Sequence, residues 1–315
     1  LLNMDNTPVG ELGRLQIWPI NPEQTAFRIT GVLPENMEIN LQDPRCKLIV
    51  IANTIPETIE NEKTHYNYTQ LDPRNEGSSI PMWGVMTTDI SPLLNATYYE
   101  LTEDVWLLRS AAKIEVRLSD KLKEKGTKIT SATLKYYNIE GYVVPTNWQT
   151  CNKTQELNCE AGINVYRHAA VTLPLINDEE SGDYYVYIPE YDNMNYPGER
   201  NKISLSFYDQ GKDKIFEDAI SFCEYSNGEK IEGTDYNITR NHIYRFIVRS
   251  IAGESLMLEY HVADWDAEDW GNNEEYKEHD ISYPTYLNPA FIEARSFALT
   301  KWYTNFATLG SLISV

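Results

Sequence analysis

Tyr236 to Trp270 reads YNITRNHIYRFIVRSIAGESLMLEYHVADWDAEDW, and its alternation decides the fold class of the chain. Tyr244, Phe246 and Val248 fall on one face of an extended segment and Arg245 and Arg249 on the other, the period that marks a half-buried strand. After the short turn Ala252-Gly253-Glu254-Ser255, the side chains of Leu256, Leu258, Tyr260 and Val262 share a face while Glu259 and His261 point away. Two such runs around a Gly-containing turn predict a long antiparallel hairpin.

Working outward, the same signal recurs in LQIW from Leu15, AFRIT from Ala26, KLIVIA from Lys47, VWLLRSAAKIEVRL from Val105, SATLKYYNI from Ser131, YYVYIPEY from Tyr184, KISLSFYD from Lys202 and IFEDAISF from Ile215. Spacers such as DPRN, NYPGER, DQGKDK and SNGEK carry turn chemistry and leave no room for crossover helices. Short strands at this spacing predict an all-β chain of antiparallel β-sandwiches. Only Ile55 to Tyr66, with Pro56 near its start, reads as a short exposed helix. A length of 315 residues exceeds one typical domain. The charged stretch SDKLKEKGTK, Ser119 to Lys128, is the expected break, giving an N-terminal sandwich over 1–122 and a C-terminal sandwich with a C-terminal extension over 123–315.

Composition narrows the function. The 47 acidic residues exceed the 27 basic ones, for a formal charge of −20, which argues against nucleic acid as a partner because its binding draws on a cationic surface. The 22 tyrosines and 7 tryptophans suit strands and the surfaces of exported β proteins. No apolar run is long enough to cross a bilayer.

No catalytic constellation emerges. The histidines, at 65, 168, 242, 261 and 279, are not spaced as metal ligands, and neither a G-x-S-x-G elbow nor a Gly-rich phosphate loop is present. The chain is therefore expected to be no enzyme and to need no cofactor or metal. Asp264, Asp266, Glu268 and Asp269 in ADWDAEDWG fit neither a calcium loop nor a glycosidase pair, and read as the solvated end of a core strand anchored by Trp265. Cys151 and Cys159 flank the polar loop NKTQELN at a separation that a small disulfide can close in an exported protein. Trp83, Trp148 and Trp270 lie in turn-rich segments and are the candidates for stacking on a sugar. The apolar segment FIEARSFALTKWYTNFATLGSLISV, from Phe291, needs a place of burial: either a strand or amphipathic helix completing its own domain, or a donor strand for a neighbour.

Several separated segments resemble those of the fimbrial subunit proteins of Bacteroidales bacteria, the fimbrillin superfamily of shaft, anchor and tip components. They are KLIVIANT (Lys47–Thr54), SIPMWG (Ser79–Gly84), LLRSAAKIEV (Leu107–Val116) and YYVYIPEY (Tyr184–Tyr191) followed by DYNITRNHIYRFIV (Asp235–Val248). The resemblance implies two transthyretin-like β-sandwich domains in a protein exported as a lipoprotein and held at the cell surface, in a fimbrium or the outer membrane. Its contact with the membrane would be only through a lipid anchor on the precursor. It also implies other fimbrial subunits as partners, host or bacterial surface ligands, and assembly in which an Arg-specific protease trims an N-terminal segment and a strand from the next subunit fills the groove. On this chain that cleavage falls at Arg14 in GELGR, ahead of LQIW. No lipidated cysteine stands near the start, so a processed or truncated chain is expected. A carbohydrate-binding surface lipoprotein or tip adhesin is the alternative.

Overall fold

A computed structural model describes residues 1–22, 26–33, 37, 40, 42–53, 65–94, 96, 98–101, 103–159, 172–252, 255–264 and 293–300. In chain order the strands are β1 (Leu2–Asn3), β2 (Gly13–Pro19), β3 (Ala26–Val32), β4 (Arg45–Ala52), β5 (His65–Asn67), β6 (Met82–Asp89), β7 (Tyr98–Glu100), β8 (Val105–Trp106), β9 (Leu108–Arg109), β10 (Ala112–Leu118), β11 (Lys128–Lys135), β12 (Glu140–Tyr142), β13 (Thr172–Pro174), β14 (Ile176–Asn177), β15 (Tyr184–Ile188), β16 (Lys202–Asp209), β17 (Lys214–Ser221), β18 (Tyr225–Ser226), β19 (Glu229–Lys230), β20 (His242–Ala252), β21 (Ser255–Asp264) and β22 (Glu293–Thr300). The one α-helix among the described residues, α1 (Asp120–Glu124), lies in the charged stretch where the domain break was expected. Ile55 to Tyr66 falls mostly outside the described residues, and its last two, His65 and Tyr66, belong to β5 and not to a helix.

The chain forms two compact units, neither continuous in sequence. Unit 1 takes in Leu1–Ile49, Val85–Trp106 and Ile292–Val315, and unit 2 takes in Val50–Gly84 and Leu107–Phe291. α1 and the expected boundary thus lie inside unit 2.

Unit 2 is two sheets facing over one core. The first has the order β14-β15-β10-β20-β21 and the second β13-β11-β16-β17. Ile114, Val116, Val186, Tyr244 and Phe246 of the first sheet meet Leu134, Ile203, Leu205, Phe207, Phe216 and Ile220 of the second in a single buried cluster. Alternation explains this face, since every second residue of β10, β16 and β20 is apolar and points inward.

The hairpin read from the sequence is β20–β21, paired antiparallel from His242↔Asp264 to Ala252↔Ser255 with a bulge between Val248 and Ser250. It departs from expectation in one respect: β20 is buried on both faces from Ile243 to Val248, and β10 runs parallel along its other edge, Glu115 beside Arg245. A parallel neighbour requires a long crossover, and here the second sheet supplies it.

In unit 1, β3 pairs antiparallel with β2 on one side and parallel with β22 on the other, Glu293 opposite Ala26 and Thr300 opposite Val32. β22 is in turn antiparallel to β7 and β8. Its sheet order is β2-β3-β22-β7, so the strand from the C-terminal segment is internal and β2 is an edge.

Candidate functional site

The most exposed apolar surface of unit 1 follows β2. Each residue of Gly13–Pro19 is exposed, and Leu15 (54 %), Ile17 (58 %) and Trp18 (38 %) are followed by Ile20 (44 %). In an extended segment Leu15 and Ile17 face one way and Trp18 and Ile20 the other, so both faces of this edge carry uncovered apolar side chains. Isolated exposed apolar residues are ordinary, but a contiguous run on an edge strand is a template for pairing with another chain. The sequence carried this signal in its break of alternation: apolar residues occupy both parities where a half-buried strand would use one.

Arg14 stands at the head of this strand. It is exposed, has φ of 50°, and falls where the β2–β3 register shifts between Gly13↔Val32 and Gln16↔Thr30. Two residues of β2 there oppose the single Gly31, the count of a β-bulge. Gly31 permits it, since a Cβ at that position would lie 2.9 Å from Leu15 Cδ2 and 3.1 Å from Leu12 Cβ.

Unit 2 contains charge in its interior instead. Glu115 is buried at the centre of its sheet and accepts from Arg245 Nε at 2.7 Å and Arg117 Nη2 at 3.2 Å, with the Lys113 ammonium also in contact. Burial alone raises a carboxyl, yet the Lys113, Arg117 and Arg245 charges outweigh it and hold Glu115 well below the usual carboxylate range. A second pair, Arg240 and Glu190, is bidentate at 2.9 and 2.7 Å, and Arg240 also donates to the carbonyls of Val143 at 2.8 Å and Tyr142 at 3.1 Å. These opposite charges pair with one another inside the unit, which fits a structural role. Among the described residues no group of His, Cys, Asp and Glu is arranged to hold a metal, and no helix is long and apolar enough to cross a membrane.

The tryptophans named as sugar platforms are corrected by burial. Trp83 is fully buried and Trp148 is 5 % exposed, so neither indole presents a face on which a sugar ring could stack. Turn-rich flanking sequence misled: Trp83 lies within β6, and Trp148 opens a short helical turn, Trp148–Thr150, that its buried ring anchors to the core. Trp270, and with it Asp266, Glu268 and Asp269, lies outside the described residues. Cys151 is buried and Cys159 half-buried; no disulfide joins them in this structure. Among the described candidates, only Arg14 lies on the exposed apolar edge.

No protein-family profile and no curated protein matches the chain. Among solved structures, a candidate cell adhesion protein from Bacteroides uniformis is similar with a TM-score of 0.41 at 12 % identity, over 82 % of this chain and 93 % of that one. A candidate cell adhesion protein from Parabacteroides distasonis gives 0.40 at 14 % identity, over 76 % and 80 %. The fimbrial anchor protein Mfa2 from Porphyromonas gingivalis gives 0.28 at 10 % identity, over 82 % and 91 %. With TM-scores below 0.5, none of these likenesses fixes the fold or the function of this chain.

Proposed function

We propose that this protein is a non-enzymatic structural or adhesive subunit of a bacterial surface fimbria, built from transthyretin-like sandwiches and joined to its neighbours by strand complementation. The observation that carries the reading is the position of β22. A strand reached only after residues 265–292 runs inside the sheet of unit 1, between β3 and β7, while that sheet leaves β2 as an apolar edge. A strand supplied by a second copy would meet the same backbone partners as the chain's own, so exchange costs little beyond its entropy. The exposed bulge at Arg14 supports a cleavage that would loosen the head of β2 and start the exchange. The segments resembling fimbrillins support the same reading, of a protein at the cell surface with other subunits as partners.

The test is direct. Arg-specific proteolysis of the full chain should yield a new N-terminus at Leu15, read by Edman sequencing, and a ladder of oligomers in sedimentation velocity. A chain ending at residue 292 should be cut but should not polymerise. Oligomers formed equally well without residues 293–315 would overturn the donor role, and an intact bond after Arg14 would remove the trigger.

A further inference from the structure

Among the described residues β21 is the outermost strand of the first sheet of unit 2, ten residues long. Its odd-numbered neighbours face β20, so the N–H groups of Leu256, Leu258, Tyr260 and Val262 point outward, as an edge presents them to any incoming strand. Two of these donors are already taken by groups that are not a strand. Leu256 N–H donates to Asp218 Oδ2 at 2.7 Å, and Leu258 N–H donates to the Gly228 carbonyl at 3.2 Å.

Asp218 reaches across from β17 in the opposite sheet, and Gly228 belongs to the turn between β18 and β19. That turn is seated on β21 itself. Asn227 and Gly228 have φ of 51° and 87°, and a Cβ on Gly228 would lie 2.7 Å from Met257 Cε and 3.1 Å from Met257 Cα. The hairpin is anchored from behind: Tyr225 Oη accepts from Ser221 N–H at 2.9 Å and donates to the Ser221 carbonyl at 3.1 Å. Ile231 N–H donates to the Glu224 carbonyl at 2.9 Å, and Glu224 N–H to Thr234 Oγ1 at 3.0 Å. The Tyr225 ring packs at 6.0 Å from Tyr260 and 6.5 Å from Phe246.

We propose that Asp218 and the β18–β19 hairpin are an edge guard, which stops β21 from pairing antiparallel with β21 of a second copy. The occupant follows from the strand's own character. Two copies of one antiparallel edge are self-complementary about a two-fold axis, and beyond the guard Val262 is 39 % exposed on that edge. A short hairpin and a carboxylate from the opposite sheet use up two of the four donors such pairing needs. This goes beyond the subunit reading and does not depend on it, because the guarded edge lies in unit 2 and the exchange reading rests on β2 and β22 in unit 1.

The test uses the full chain, uncut, so that assembly through unit 1 is not triggered. Asp218→Ala with Gly228→Val removes one acceptor and pushes the turn away from Met257. Releasing two outward N–H groups on each copy, four in the two-fold pair, should strengthen self-association by about 1,000-fold in sedimentation velocity, the equivalent of four ordinary hydrogen bonds. Adding Val262→Pro, which deletes an outward N–H without touching the β20 ladder, should abolish the gain. Should the double variant fail to fold, Asp218→Ala alone must raise both the amide exchange rate of Leu256 and the dimer fraction. A folded variant that sediments as the parent does, or a dimer indifferent to Val262→Pro, would overturn the guard.

Discussion

At the scale of the residue, Glu115 shows how far a local reading reaches. Period-two alternation correctly turned Arg245 away from the apolar core, but it could not tell that Arg245 would be buried against a carboxylate 130 positions earlier. A charged residue facing away from one core is ordinarily solvated; here a parallel neighbour and cationic partners made burial affordable. The pH consequence has a definite sign. The folded pKa of Glu115 lies below its ordinary 4.5, so its stabilisation is complete above that value and drains away as pH falls below it toward the depressed one. Glu115→Gln should therefore lower stability at neutral pH by about 3–5 kcal/mol, since it leaves buried cations uncompensated. It should also flatten the acid limb, measured as melting temperature against pH by circular dichroism. An acid limb as steep as the parent's would show that other carboxylates control it.

At the scale of the element, β20–β21 was legible because a hairpin is a local object: its alternation, turn and pairing lie within one stretch of chain. VWLLRSAAKIEVRL was legible as strand but not in its breaks. It divides into β8, β9 and β10, which pair with β22, β6 and β15 respectively, because Leu107 and Ser110–Ala111 redirect the backbone between different partners. β2 was legible as a strand, and its exposure showed only in the broken alternation of Leu15, Ile17, Trp18 and Ile20. Since Ile17 is 58 % exposed, Ile17→Lys should change folding stability by no more than about 0.5 kcal/mol. It should nonetheless reduce binding of an apolar dye and weaken any self-association through this edge. A large loss of stability would mean that Ile17 is covered in solution.

At the scale of the whole molecule, sequence order and spatial order part company. Unit 1 is assembled from three separated segments, and its sheet is incomplete without β22. A chain ending at residue 292 should keep the β signature and the buried tyrosine cluster of unit 2 while unit 1 loses protection in amide exchange. Equal protection of β3 with and without residues 293–315 would argue against the internal placement of β22. The C-terminal segment was read as either completing its own domain or serving a neighbour; its described part, Glu293–Thr300, pairs within the sheet of unit 1.

The sequence by itself determined what depends on neighbours along the chain: a nearly all-β fold, the β20–β21 hairpin and most strand positions. Tertiary structure decided which strands became neighbours. It set β10 against β20, buried Trp83 and Trp148, exposed β2, and slid β22 beside β3. The physical reason is that a strand's pattern specifies which face is apolar but not which strand lies along its edges. Backbone hydrogen bonds are the same for every partner, so pairing is chosen only when distant segments pack around a shared core.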